Sequence, residues 1–300
     1  YFAMSESVVI ITGSAKGLGK GFAQTLLKRG CFVALSDVSE EDGHQTLKEF
    51  QEVFGKDKVI FVQCDVRSKD DFERLWKETQ RIFGKNVNVL VNNAGVNGNH
   101  ASCLDINLYG VMNGVEIAHK EMQSAGSGLI INIGSMAGLV PNYKIMGNNY
   151  FVSKRGVVTL TRALGVASKN SGIKSSVLCP FFVDTDLANT PDIKKEVSRL
   201  GGQILSVERV VEAFDLLYEN ADVYNGKALV VTTDSPFFTM PIYNWNFIVW
   251  LVLGASFMKK LFPKMEVYSP GYQAFFILMN FGIFAFFFEI IIFLIKCFLL

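Results

Sequence analysis

Tyr150 and Lys154 lie four residues apart in Tyr150-Phe-Val-Ser-Lys154, and Ser135 precedes the tyrosine by fifteen. On a helix, positions i and i+4 share a face, so the phenol and the ammonium can serve one reacting atom. A free phenol titrates near pH ~10, and a neighbouring cation favours the phenolate, which makes it a better proton acceptor. Ser135 adds a hydroxyl able to hold an oxygen in register. Alone, the pair also reads as an exposed tyrosine beside an exposed lysine. A second motif changes the weight. Thr12-Gly-Ser-Ala-Lys-Gly-Leu-Gly19 is a glycine-rich turn able to hold a dinucleotide. A proton-moving group together with a dinucleotide turn supplies both halves of an alcohol oxidation.

The flanking elements must position these groups. Val8–Ile11 is a continuous apolar run, as in a strand buried on both faces, and an amphipathic stretch from Leu18 to Arg29 follows the turn. Strand, glycine turn and helix is the context that a dinucleotide fingerprint needs. Gly13, Gly17 and Gly19 let the backbone approach a pyrophosphate, and the helix start offers unpaired N–H groups. A second strand, Cys31–Leu35, leads to Asp37, whose carboxylate suits a ribose diol and repels a 2′-phosphate. Lys16, inside the turn, pulls the other way. Asp37 weighs more, so the expected cofactor is NAD, with NADP less favoured.

Beyond that point strands and helices alternate. Helical patterns fall at 39–54, 68–83, 103–124, 148–168 and 207–220. Strand patterns fall at Val59–Gln63, Val89–Asn92, Leu129–Ile133, Ser175–Leu178 and Ala228–Val231. The expected fold is α/β, a doubly wound Rossmann-type parallel sheet with helices on both faces, forming one domain over residues 1–236. Asp37, Asp65, Asn92, Ser135 and Pro180 would sit at strand ends and converge on one crevice. With 29 basic and 28 acidic side chains, a nucleic-acid face is not implied. The five cysteines are scattered and the three histidines have no ligand spacing, so free thiols and no metal site are expected.

These motifs together resemble those of the short-chain dehydrogenases/reductases over residues 6–235. The glycine turn, Asn92-Asn-Ala-Gly95, Asn107, Ser135 and Tyr150-x-x-x-Lys154 occur in that family's order. Cys64-Asp-Val66, Val91–Asn97, Ala137-Gly-Leu139 with Pro141, Val177–Pro180 and Val231-Thr-Thr233 look most like its NAD-dependent 15-hydroxyprostaglandin dehydrogenase group. The resemblance implies that Tyr150 is the general acid/base, with Lys154 lowering its pKa and holding the nicotinamide ribose. It implies that Ser135 binds the substrate oxygen and that Asn107 anchors a proton-relay water. For the cofactor it implies Gly13, Lys16, Gly17, Leu18 and Gly19 at the pyrophosphate and Asp37 at the ribose. Asp65 and Val66 would flank the adenine, with Asn92, Ala94 and Gly95 at the pocket floor and Pro180, Val183 and Thr185 near the nicotinamide. The substrate it implies is a secondary alcohol or ketone, lipid-like as in a hydroxyprostaglandin or hydroxy fatty acid. A steroid or retinol is the alternative within the family, and a dinucleotide-binding scaffold without catalysis the alternative outside it. A homo-oligomer is implied by the same likeness.

Three features depart from the family pattern. The Ser135–Tyr150 spacing is longer than usual, so the loop Gly138–Asn149, with Lys144, Asn148 and Asn149, should differ in shape. Phe181 stands where the family usually has glycine. The segment from Thr185 to Val207 is a variable lid that names no substrate. From Phe237 the composition changes: residues 237–300 hold 14 of the 26 phenylalanines and six charges. Ile242–Met258 and Tyr272–Leu300 are apolar, and the second is long enough to span a bilayer core, which takes about 20 residues. Glu289 inside it would cost roughly 2.5–3.5 kcal/mol near the midplane. A catalytic domain in the cytoplasm, with residues 272–300 as a single anchor to the cytosolic face of a membrane, is the consistent topology. A lid, an interface or an extension foreign to the protein is the other reading of the tail.

Overall fold

The computed structural model describes residues 6–98, 100–140, 147–188, 190–199, 203–233 and 236–240. The chain divides into two units, Tyr1–Met240 and Pro241–Leu300. The second unit contains both apolar stretches and lies outside the described residues, as do Pro141 and Lys144 of the substrate-facing loop. Among the described residues no helix is long and apolar enough to cross a membrane.

The elements run β1 (Val8–Thr12), α1 (Gly17–Lys28), β2 (Phe32–Ser36), α2 (Glu40–Phe54), β3 (Val59–Phe61), α3 (Lys69–Phe83) and β4 (Val89–Asn92). Then come α4 (Ser102–Leu104), a π-helical turn over Asp105–Tyr109, α5 (Gly110–Gln123), β5 (Gly128–Ile133), a 3₁₀ turn over Met136–Gly138 and α6 (Asn148–Ser171). β6 (Ile173–Pro180), α7 (Pro191–Arg199), α8 (Val207–Glu219), α9 (Ala221–Tyr224), β7 (Ala228–Val231) and β8 (Phe238–Met240) complete the described chain. The strands form one sheet in the order β3-β2-β1-β4-β5-β6-β7-β8. Order reverses between β1 and β4, which leaves a crevice at their carboxyl ends.

Successive residues of β1 point to opposite faces. Val9 and Ile11 pack with Phe22 and Leu26 of α1 and Phe214 of α8. Val8 and Ile10 pack with Phe72 and Trp76 of α3, Val115 of α5 and Val157 of α6. Two buried faces explain why the strand sequences read as continuous apolar runs rather than alternating ones. Serine caps fix the starts of three helices: Ser39 accepts from Asp42 N–H, Ser68 from Asp71 N–H and Ser206 from Arg209 N–H.

Three elements differ from the sequence expectation. The stretch expected as one helix over 103–124 contains the π turn, which has no hydrophobic-period signature. α7 arises inside the supposed lid, where Thr190 Oγ1 accepts from Ile193 N–H and Pro191 takes the first helical position. β8 pairs antiparallel with β7, adding one non-parallel edge to the sheet. Three half-exposed residues, Phe238-Thr-Met240, are too few for a periodic signal.

Candidate active site

The glycine turn is pinned to the strand ends around it. Thr12 is buried, and its Oγ1 accepts from the N–H groups of Asn93 and Ala94, both at 3.1 Å. Asn93 Nδ2 donates to Thr12 O at 2.9 Å and Gly13 O at 2.7 Å. Ser36 N–H donates to Ser14 Oγ at 2.8 Å, which fastens the turn to β2. Gly13 and Gly17 have φ of +63° and +55°, in the left-handed region. A Cβ on Gly13 would fall 2.7 Å from Ala94 Cα. The start of α1 has no side-chain cap and no acid in its first turn, so its N–H groups are open to an anion.

This turn forms one end of a cleft of about 820 Å³. Gly13, Lys16, Gly17, Leu18, Asp37, Asp65, Val66, Ala94, Gly95, Pro180, Val183 and Thr185 line it, with Ser135, Tyr150 and Lys154 at the far end. Asp37 ends β2, its carboxylate accepting from Ala15 N–H and Ser39 N–H at 3.1 Å each. Asp65 accepts from Arg67 N–H at 3.0 Å and pairs with the Arg67 guanidinium. Thr185 comes close to the turn from the opposite wall, where a Cβ on Gly17 would lie 3.4 Å from Thr185 Cγ2. A cradle that admits no Cβ, an uncapped helix start and a carboxylate beyond them fit a dinucleotide.

Three residues expected in the site stand outside the cleft. Gly19 faces Gly13 and Asn93 instead and supports the turn from behind. Asn92 is buried in a side-chain chain that runs to α6: its Nδ2 donates to Asn132 Oδ1, and Asn132 Nδ2 donates to Thr161 Oγ1, both at 2.9 Å. The last residue of β4 alternates away from the crevice, and Asn93, next in the same motif, faces it. Asn107 is fully buried in the π turn. Its Oδ1 accepts from Val96 N–H and its Nδ2 donates to Val96 O, each at 2.8 Å, with Ser153 Oγ at 3.3 Å. The amide therefore clamps the strand-end loop.

At the far end, α6 presents Tyr150 and Lys154 on one buried face. Ser135 follows β5 and caps the 3₁₀ turn, accepting from Ala137 N–H at 3.1 Å. Burial pushes the Tyr150 phenol up to about 12, and its hydrogen bond with Ser135 opposes that rise. Burial likewise pulls Lys154 down to about 8. In this structure burial sets the direction for both groups. Lys154 Nζ donates to Ile133 O at 2.9 Å and lies 5.8 Å from the centroid of the Tyr150 ring. A Cβ on Gly95 would fall 3.2 Å from Asn107 Oδ1 and 3.5 Å from Lys154 Nζ, so both groups come close to the loop at this glycine.

A third apolar cluster adjoins the phenol: Tyr150, Cys103 and Ala137 pack with Ala188, Ile193 and Val197, and Val96, Phe151 and Leu187 border it. Phe181 and Phe182 meet edge-to-face at 4.8 Å, and both line the cleft. The ring in the glycine's usual place therefore packs between the sheet core and this chamber. Leu187 and Ala188, which line the cleft, went unread as site residues; Ile193 and Val197 belong to the buried cluster and do not line it.

The family described as short chain dehydrogenase matches residues 7–196. The 15-hydroxyprostaglandin dehydrogenase [NAD(+)] of Mus musculus is 36% identical over 222 residues, which cover 72% of this chain and 80% of that protein. The 2-(R)-hydroxypropyl-CoM dehydrogenase of Xanthobacter autotrophicus is 31% identical, covering 75% and 96%. Among solved structures, a short chain dehydrogenase/reductase from Burkholderia phymatum in complex with NAD has a TM-score of 0.64 at 26% identity, covering 73% of this chain and 88% of that one. Levodione reductase reaches a TM-score of 0.68 at 24% identity, covering 75% and 96%, a likeness of fold.

Proposed function

The chain belongs to the short-chain dehydrogenase family and is an oxidoreductase of alcohols, and we propose that it uses NAD to interconvert a lipid-like secondary alcohol and its ketone. The observation that carries this reading is that Ser135, Tyr150 and Lys154 line the same cleft as the glycine turn and Asp37, at an end walled by apolar side chains. NAD is supported by the cofactor named for the 15-hydroxyprostaglandin dehydrogenase relatives, by the NAD in the Burkholderia structure and by Asp37 at the ribose end. Gly13, Gly17, Leu18, Ala94, Gly95 and Thr185 would hold it, with Pro180 and Val183 on the wall opposite the turn. Bound there, it supplies the two-electron acceptor or donor that the side chains lack.

The chain's own residues manage the oxygen and its proton. In the oxidising direction Ser135 holds the carbinol oxygen and Tyr150 accepts its proton; in the reducing direction Tyr150 returns it. A phenol pushed up to about 12 keeps its proton near neutral pH, so oxidation needs Lys154 to stay protonated and lend its charge, which favours the phenolate that accepts the carbinol proton. Asn107 acts through the loop it clamps, a positioning part. The lipid-like class is supported by the hydroxyprostaglandin relatives and by the apolar chamber. A homo-oligomer belongs to the reading, and exposed Tyr109, Met112 and Val152 on α5, α6 and the π turn are in keeping with it. A cytoplasmic location goes with it too. Membrane attachment through residues 272–300 rests on residues outside the described structure and is not part of the proposal.

The test is Tyr150→Phe, with NAD+ affinity by calorimetry and turnover by reduced-cofactor absorbance against hydroxy fatty acids, hydroxyprostaglandins, steroids, retinol and short secondary alcohols. Affinity should stay within about twofold and turnover should fall by 10²-fold or more, on the order of a general-base contribution. Undiminished turnover in the variant rejects the catalytic assignment. A preference for short polar alcohols rejects the lipid-like class.

A further inference from the structure

Asp42 does not line the cleft, yet it pairs with the lysine of the glycine turn. Lys16 is the one cation within the glycine turn, and its presence ought to welcome a 2′-phosphate beside Asp37. The ammonium is not free to do so: Lys16 Nζ lies 2.9 Å from Asp42 Oδ2. Asp42 is in turn fixed from two sides. Ser39 Oγ donates to its Oδ2 at 2.9 Å, and Asp42 N–H donates to Ser39 Oγ in the cap of α2. Ser39 N–H also donates to Asp37 Oδ1, so one serine ties both carboxylates into a single unit at the end of β2. The other cation lining this end, Arg67, is paired with Asp65.

We propose that Asp42 is a specificity-determining residue, which holds the Lys16 ammonium so that the cleft presents carboxylates and no free cation to the 2′ position of the adenosine ribose. The inference rests on the dinucleotide reading above. Its physical basis is charge rather than stability, since an exposed ion pair of this kind contributes little to folding. A bound 2′-phosphate would bring two negative charges toward Asp37 and Asp42 while the compensating lysine is already engaged. The bond and field of Asp42 hold Lys16 above its ordinary pKa, and the fields of Asp186 and Asp37 add to this, so every group acting strongly on the lysine is acidic.

Removing the Asp42 charge should release Lys16 toward a 2′-phosphate while leaving the helix cap intact, because the cap uses Ser39 Oγ and the Asp42 backbone. Asp42→Asn, Lys16→Ala, the double variant and Glu40→Gln as a charge control are compared by calorimetric Kd for NAD+ and NADP+, at low and high salt. The expected result for Asp42→Asn is a shift of the Kd ratio toward NADP+ by about tenfold at low salt, shrinking at high salt. The double variant should lose that shift, and Glu40→Gln should not produce it. An unchanged ratio in Asp42→Asn, a gain that survives without Lys16, or an equal gain in Glu40→Gln overturns the proposal and leaves the dinucleotide reading standing. Wild-type protein that binds neither dinucleotide overturns both.

Discussion

At the Asp37 end of the cleft the constraints are mostly backbone ones, whereas at the Tyr150 end they are mostly side-chain ones. The glycine turn is shaped by positive φ at Gly13 and Gly17 and by bonds from Thr12 and Asn93 to main-chain atoms. The Tyr150 end is shaped by three buried groups and an apolar chamber drawn from α6, α7 and the loop after β6. Backbone shape admits one solution, and side-chain shape admits many. A cofactor common to a whole family can be held by the first kind of wall. A substrate that differs between members needs the second.

The sharpest way to break that comparison is at Gly19, which sits behind the turn. A Cβ there would collide with Gly13 O, lie 2.6 Å from Asn93 Nδ2 and lie 2.8 Å from Ser14 Cα. Backbone on two sides leaves nothing flexible to yield. Gly19→Ala should therefore weaken NAD+ binding by 10²-fold or more and lower stability by ~1–3 kcal/mol, as overpacking does. Calorimetry and thermal melting read the two effects separately. Binding at wild-type strength would mean that the turn is not shaped by main-chain contact.

The same contrast decides what could be read from the amino-acid order. The glycine turn, Asp37 and the Tyr150/Lys154 pair are local patterns, and so were legible. The strand runs were legible too, because two buried faces leave no polar residue to interrupt them. Asn92 and Asn93 could not be told apart, since adjacent residues of a strand end point to opposite sides and only the fold says which side is the crevice. Asn107 was found by its place in the motif order, but its clamp on Val96 depends on a π turn without sequence signature. The packing of α7 into the cluster that holds Tyr150 was not legible, because it joins residues more than forty positions apart in the chain. Spacing gives Tyr150 its neighbouring charge, whereas its burial comes from the whole fold.

Burial also makes the Tyr150 end costly to the fold in a way the glycine end is not. Lys154 is pulled down to about 8 from an ordinary 10.5, so below that pH a charge is kept in a site that disfavours it. A depressed lysine lends stability above its unfolded pKa and loses it as pH falls through the folded one. Lys154→Met, of similar length and uncharged, should thus be more stable than wild type at pH 7, by at most about 3 kcal/mol, with the gap closing between pH 8 and 10.5. Melting temperatures of the two proteins across that range check it, and turnover of the variant should be lost throughout. A gap that stays constant with pH would show that the lysine's charge is not what the fold resists. Tyr150 acts with the opposite sign: raised from 10.0 to about 12, it withdraws stability only as pH climbs through that interval.

The smallest effect is expected farthest from the backbone cradle, at Ile193 on α7. The side chain is buried in the apolar cluster that holds Tyr150 and Ala188, against which Leu187 of the cleft wall packs. Ile193→Ala loosens the packing behind that wall. If the chamber holds the substrate's hydrocarbon part, KM for a long-chain hydroxy acid should rise by up to about tenfold, the worth of a few methylenes in such a pocket. The value for a short secondary alcohol and the NAD+ dissociation constant should not move. kcat should also hold, because binding lost equally from ground and transition states leaves it unchanged. Steady-state kinetics with alcohols of graded length measure this directly. A uniform rise in KM across all lengths would mean that Ile193 shapes the oxygen's position, and a change in NAD+ affinity would mean that the two ends of the cleft are not built independently.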